Sequence, residues 1–301
     1  MPRASRAASL IAALVAAPLL LAGCAASGAD ASGDGAADEA VKIGIVGAGD
    51  AQWQPFVDAA AEEGITVELV DFSDYPQPNP ALTEGEVDLN QFQHIVYLAS
   101  YNVSADEDLV PIGSTAIYPL GLYSTKYDSV DDIPAGETVA VPDDDSNQAR
   151  GLLVLQSAGL IELKDGGSIF SKISDIDEAK SKVKVTALEA SLTPTSLPDV
   201  AAAIINNDFV ADAGLSFEDA IAKDDPSDAN ALPYVNIFAA RAEDADNPTY
   251  LKLVEIFQTN EKVQAGLLES SGGTAVTLQV PVDDLLSSLK DVEADTKAHN
   301  G

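Results

Sequence analysis

Few side chains in this 301-residue chain are suited to covalent or metal chemistry. There is one cysteine, Cys24, and there are two histidines, His94 and His299. His299 stands beside the C-terminus, so His94 is the one imidazole in the body of the sequence. It lies in DLNQFQHIVYL, residues 88–98, among amides and between Phe92 and Tyr97. A histidine there is a general base, a metal ligand or part of an apolar wall. Arg150 also stands out, because 16 Lys and Arg face 49 Asp and Glu, a formal charge of −33.

That charge excludes readers of nucleic-acid backbones, whose affinity comes from basic groups releasing counterions. A single cysteine excludes a disulfide framework within the chain. No Gly-x-Ser-x-Gly elbow accompanies His94. Triads are assembled in space, so a cell-surface hydrolase stays open as an alternative. Asp143-Asp144-Asp145 has the oxygens of a metal site but not the alternating aspartates, glycine and distal glutamate of a calcium loop. Those aspartates read better as a solvated loop before a helix, where acids are favourable. Soft-metal receptors want several histidines, which makes a metal-binding receptor the weaker alternative. GIVGAG at 44–49 with Asp71 downstream imitates a dinucleotide fingerprint, but the third glycine falls at Gln52. No cofactor is expected.

The block VAVPDDDSNQAR, residues 139–150, reads as strand, polar loop and helix start. Asp145 or Ser146 is positioned to cap that helix. Arg150 would then lie in the first turn beside free backbone N–H groups, a setting for a bidentate carboxylate site. Pairing with one of the many acids explains the same arginine equally well, and the residues alone leave both readings open. Of Tyr75, Phe92, Tyr97 and Tyr118, several lie beside prolines or amides, where loops face clefts. A carboxylate clamp, amides and an aromatic wall suit a small zwitterion with an apolar side chain.

These residues need elements to hold them. VKIGIV at 41–46 predicts a buried strand, 55–63 a helix stopped by Gly64, and 65–72 a strand ended by Pro76, Pro78 and Pro80. Residues 138–141 and 183–188 predict strands, 147–158 a helix closed by Gly159, and 200–205 a helix end or a strand. Residues 234–240 predict a strand and 248–258 a helix. This alternation is the pattern of an α/β fold with a mostly parallel sheet covered on both faces, and its length allows two lobes.

The first 23 residues read as an address. Arg3 and Arg6 precede an apolar run from Leu10 to Leu21, too short to span a membrane comfortably. LAGC at 21–24 resembles the bacterial lipobox, which implies a signal peptide at 1–23 and lipidation of Cys24 with acyl chains such as palmitate. Two chains on one diacyl group give stable anchoring. Residues 24–40, rich in Ala, Gly, Ser and acids, would be a flexible tether.

VKIGIV, VELVDFSDYPQPNPAL, EVDLNQFQHIVYL, IGSTAIYPLGLYS, the block from VAVPDDDSNQAR through LKDG, and PYVNIFAAR together span most of 41–260. They resemble the methionine-binding lipoproteins of the NlpA/MetQ type, the solute-binding components of ABC importers. The resemblance implies a two-lobed periplasmic-binding-protein fold (type 2), each lobe a mixed sheet flanked by helices with ligand between them. Lobe one would be 41–121 with 236–301, and lobe two 122–235. It implies no enzyme. The partners would be methionine (L, D, or within a dipeptide), a permease with its cytoplasmic ATPase, and the membrane through the anchor. The protein would be a monomer on the outer face of the cytoplasmic membrane. Arg150 and Asn147 would hold the ligand carboxylate, and Asn206 and Asn236 other polar atoms including the amine. Tyr75, Phe92, His94, Tyr97 and Tyr118 would wall the side-chain pocket. Asp143, where the family usually has Asn, and Leu192, where an amide is common, depart from the pattern and are expected to alter the loop and the cleft wall.

Overall fold

The computed structural model describes residues 40–227 and 231–300. The expected signal peptide, Cys24 and the expected tether up to residue 39 lie outside the described residues.

The chain opens with β1 (Val41–Val46), α1 (Trp53–Glu62) and β2 (Val67–Phe72). The proline run does not simply break the chain. It starts α2 (Pro78–Thr83), with Pro78 and Pro80 both inside the first turn, where a missing N–H costs no helical bond. DLNQFQHIVYL, unassigned from sequence, becomes β3 (Leu89–His94) running directly into α3 (Ile95–Ala105). Next come β4 (Val110–Ser114), β5 (Ala116–Ile117) and β6 (Gly121–Tyr123). The middle of the chain supplies β7 (Thr138–Pro142), α4 (Asp145–Ser157), β8 (Lys184–Leu188), α5 (Thr193–Ser196), β9 (Ala202–Ile205) and β10 (Ala222–Lys223). Gly159, at φ +72°, ends α4 as expected of a left-handed cap. The chain finishes with β11 (Asn236–Ala240), α6 (Pro248–Thr259), α7 (Glu261–Ser270), β12 (Val276–Thr277) and α8 (Val282–Asn300). Residues 200–205, ambiguous in sequence, are strand from Ala202. Tyr234, expected to open a strand, lies in a single 3-10 turn before β11.

Two five-stranded sheets result, ordered β2-β1-β3-β11-β4 and β10-β6-β9-β7-β8. Both are mixed rather than mostly parallel. In the first, β2, β1 and β3 run parallel, while β11 is antiparallel to both β3 and β4. In the second, β8, β7 and β9 are parallel, and β6 runs antiparallel to its neighbours β9 and β10. The chain crosses from the first sheet to the second between Ile117 and Gly121, and returns between Lys223 and Asn236.

Helices pack on each sheet through apolar faces. Trp53 and Phe56 of α1 meet Phe257 of α6 and Phe238 of β11, with the Phe56 and Phe257 rings 5.7 Å apart and edge-to-face. Each such buried ring stabilises the fold by about 1.5–3 kcal/mol. On the second sheet, α4 lies close because Gly151 has no side chain: a Cβ there would stand 3.3 Å from Ile204. Among the described residues no helix is long and apolar enough to cross a membrane.

Candidate functional site

Parallel strands deliver their carboxyl ends, and the loops after them, to one edge of a sheet. In the first sheet β2 leads to Tyr75 and β3 ends at His94, with Tyr97 one turn into α3. Asn236 opens β11 directly opposite His94 in the antiparallel register. In the second sheet β7 leads into α4, which carries Asn147 and Arg150, and β9 ends one residue before Asn206. Tyr118 lies on the crossing between the sheets. All nine residues singled out from sequence line one cavity of about 30 Å³ between the two sheets. A cavity that admits benzene measures roughly 150 Å³, so a guest of amino-acid size requires these walls to move apart. Tyr75 and Tyr97 divide the cavity from a wider pocket of about 290 Å³ that reaches Phe170, Lys172 and the end of α8.

His94 is both wall and cap. Its Nδ1 accepts the Tyr97 backbone N–H at 3.1 Å, which closes the N-terminus of α3. In the neutral ring the proton therefore sits on Nε2, which faces the Asn147 Oδ1 at 3.4 Å. Burial first, and the Arg150 charge second, hold the imidazole down at about 3, so it is neutral at physiological pH. A ring with both nitrogens engaged and so little basicity is a poor general base. Among the described residues no cluster of three His, Cys, Asp or Glu groups could hold a metal. Phe92 and Tyr97 meet edge-to-face at 5.6 Å, and Tyr75 lies 5.8 Å from Phe92. Burial pushes the hydroxyls of Tyr75, Tyr97 and Tyr118 above the ordinary phenol range, so all three stay protonated.

The amides of β3 have internal partners. Asn90 donates to Asn79 at 2.8 Å, and Gln93 donates to Asn79 at 2.6 Å and to Asn90 at 2.9 Å, tying α2 to the strand. This satisfied network explains why so polar a strand can be buried throughout.

The helix carrying Arg150 differs from expectation in two ways. Its cap is Asp144, not Asp145 or Ser146. The half-buried Asp144 carboxylate accepts the Asn147 backbone N–H at 2.9 Å, the Ser146 hydroxyl at 2.8 Å and the Asn147 amide at 3.0 Å. The middle aspartate is thus a cap, while Asp143 and Asp145 face solvent. Burial raises Asp144 against the opposing pull of those bonds. Because α4 starts at Asp145, Arg150 falls in its second turn, beyond the free N–H groups.

Arg150 is instead held by side chains and a carbonyl. It is 6 % exposed. Its Nε donates to Asp224 Oδ2 at 2.6 Å and its Nη2 to the Tyr118 carbonyl at 2.8 Å. The guanidinium carbon lies 4.5 Å over the Tyr234 ring. Pairing with an acid and a buried, cavity-lining position therefore hold together. Among the described residues Nη1 has no hydrogen-bond partner and stays available. Asn147 is more committed: its Oδ1 accepts Asn206 Nδ2 at 3.0 Å and its Nδ2 is spent on Asp144. Among the described residues, Asn206 Oδ1, Asn207 Oδ1 and the Tyr234 hydroxyl are buried without a protein partner.

Sequence reasoning did not place Asp208, Asp224 or Tyr234 in the site, although Asp208 stands out as a departure from the family pattern beside Asn206 and Asn207. Asp208 lines the cavity two residues past Asn206, and a carboxylate so close to a buried strand end was its local signal. Asp224 and Tyr234 lie far from Arg150 in sequence, and nothing local marked them. The departures at Asp143 and Leu192 do not reach the cavity: Asp143 is exposed, and Leu192 is 47 % exposed. In the glycine turn, Asp71 Oδ1 accepts the Gly47 and Ala48 N–H groups at 3.1 Å each, leaving those donors nothing to offer a phosphate.

Known proteins share this architecture. The chain is 38% identical over 234 residues to the probable D-methionine-binding lipoprotein MetQ of Pasteurella multocida, covering 77% of this chain and 83% of the relative. A nutrient-binding protein from Burkholderia cenocepacia, solved bound to methionine, superposes with a TM-score of 0.73 at 37% identity over 79% of this chain and 99% of that one. The substrate-binding protein of a methionine transporter from Streptococcus pneumoniae gives a TM-score of 0.74 at 35% identity, over 79% of this chain and 95% of that one. Residues 41–278 match the NlpA lipoprotein family as a whole, and the chain belongs to that family.

Proposed function

We propose that this protein is a lipid-anchored solute-binding protein that captures methionine and passes it to an ABC importer. The observation that carries the reading is the cavity between the sheets. An arginine with a free Nη1 and buried unpaired acceptors stand there among aromatic rings. Arg150 Nη1 takes one carboxylate oxygen of the solute, and Asn147 joins it by turning an Nδ2 proton from Asp144 towards the solute. Asn206 Oδ1 and Asn236 accept from the ammonium group. Tyr75, Phe92, His94, Tyr97 and Tyr118 enclose the side chain, where a thioether packs well against ring edges. A neutral His94 suits that apolar role.

Lobe one comprises 41–121 with 236–301 and lobe two 122–235, and they part about the two crossings to admit the solute. Lipidation of Cys24 holds the protein on the outer face of the cytoplasmic membrane. There it works as a monomer beside its permease and cytoplasmic ATPase. It makes and breaks no bond. The relatives' functions, D-methionine binding and methionine transport, support this reading.

The test is mass spectrometry of solute released from purified protein, followed by calorimetry with L-methionine and D-methionine. Methionine or a methionine-containing dipeptide is expected to copurify. Absence of binding to both enantiomers overturns the reading.

A further inference from the structure

Tyr75 and Asp208 reach each other from different sheets. Tyr75 follows β2 of the first, and Asp208 stands three residues past β9 of the second. The Tyr75 hydroxyl donates to Asp208 Oδ2 at 2.9 Å. The Tyr75 ring also lies 5.1 Å from that of Phe209. Among the described residues one other bond joins side chain to side chain between the two walls, His94 to Asn147, and it is longer at 3.4 Å; beside the crossing, Arg150 also reaches the Tyr118 carbonyl at 2.8 Å. Tyr75 is 5 % exposed, so its hydroxyl exchanges a water partner for Asp208 only when the walls are together.

We propose that Asp208 is a positioning residue: it latches Tyr75 across the closed cleft, and the rate at which this bond breaks sets how fast the captured solute leaves. The solute arm of this inference rests on the function proposed above; the latch itself does not. Opening must separate donor from acceptor before Tyr75 can swing clear of the cavity. A hydrogen bond between buried groups is worth up to about tenfold in an equilibrium even when both are neutral, so its loss should speed release by up to about tenfold.

The surroundings make the latch sensitive to protons. Asp208 and Asp50 line one small cavity from opposite lobes, together with Gln52, Asn207, Tyr118 and Ser270. Arg150 and His94 lie along the adjoining cavity that Asp208 shares. Burial, then the Asp50 charge, push the Asp208 carboxyl up to about 7. Burial and the Asp71 charge push Asp50 up to about 6, opposed by a bond from Gln52. Opening rehydrates both groups and returns them towards ordinary carboxylate values. Closing therefore takes up protons: it is favoured as pH falls through 7 and bears the full desolvation cost above it. For Asp208 alone this makes the closed cleft about tenfold more favoured at pH 6 than at pH 8.

The experiment compares wild type, Asp208→Asn and Asp208→Leu by stopped-flow release of L-methionine at pH 6 and 8, and by small-angle scattering without added solute. Asp208→Asn keeps an acceptor for Tyr75 but no charge; it should release slowly at both pH values, with only the Asp50 part of the pH dependence left. Asp208→Leu should release up to about tenfold faster at pH 6 and scatter as a more open molecule. If wild type binds L-methionine and both variants keep its release rates, pH profile and scattering, the latch is refuted while the solute reading stands. If no variant binds L-methionine yet Asp208→Leu opens in scattering, the latch stands and the solute reading fails.

Discussion

Replacing Arg150 with alanine separates a clamp from a mere surface ion pair. The side chain is buried and holds three protein groups: Asp224 at 2.6 Å, the Tyr118 carbonyl at 2.8 Å and the Tyr234 ring at 4.5 Å. Truncation has two separable effects. The first is on folding. Asp224 is 28 % exposed, so water can replace much of its lost partner. Stability should fall by about 1–2 kcal/mol, mostly through the unpaired Tyr118 carbonyl and the emptied space. The second is on binding. A solute carboxylate confined in the cavity would lose its only cationic neighbour among the lining residues. Truncating one partner of a buried charge pair costs about 2–5 kcal/mol, a loss of about 30-fold or more in affinity. Calorimetry with L-methionine reads this, with circular dichroism confirming that the variant is folded. Asp224→Asn is the control, because it removes the neighbouring acid but leaves the guanidinium; it should change affinity far less. A folded Arg150→Ala protein with unchanged affinity would refute the clamp and return Arg150 to a structural role beside Asp224.

Two further outcomes follow from the site's electrostatics and caps. Because His94 is held at about 3 against an ordinary 6.5, the unfolded chain takes up a proton on it that the folded chain refuses; its contribution to stability is present above 6.5 and drains away as pH falls towards 3. The thermal midpoint of His94→Asn should therefore fall less steeply between pH 7 and 4 than that of wild type, and equal slopes would show that His94 is not buried neutral. Asp144→Ala removes the cap of α4 and the anchor of Asn147; it should lower stability by about 1–2 kcal/mol in urea denaturation and weaken L-methionine binding, whereas an unchanged urea midpoint would contradict the capping role.

The sequence carried much of the fold because its signals are local. VKIGIV reads as a buried strand from its own composition, and Gly159 ends α4 wherever that helix packs. Other elements were not legible for equally physical reasons. β3 is full of amides, and its burial makes sense only once Asn79 arrives from α2 to satisfy Asn90 and Gln93. The prolines at 78 and 80 look like breakers until the chain places them in a first helical turn.

For the site, residue types pointed to Arg150, the asparagines and the rings, and the family likeness gathered them into one list. Sequence by itself determined that this chain has one interior imidazole, scarce positive charge and alternating strands and helices. It could not determine what those groups touch. Only the tertiary structure set His94 as a neutral cap, put Asp224 and Tyr234 on Arg150, and brought Asp208 across to Tyr75. The Arg150–Asp224 and Tyr75–Asp208 pairings join residues 74 and 133 positions apart, whereas the His94 cap is local and only its burial is tertiary. No local propensity encodes those pairings: the Tyr75–Asp208 pair depends on where the two sheets come to rest, and the Arg150 contacts on how distant segments of one lobe pack.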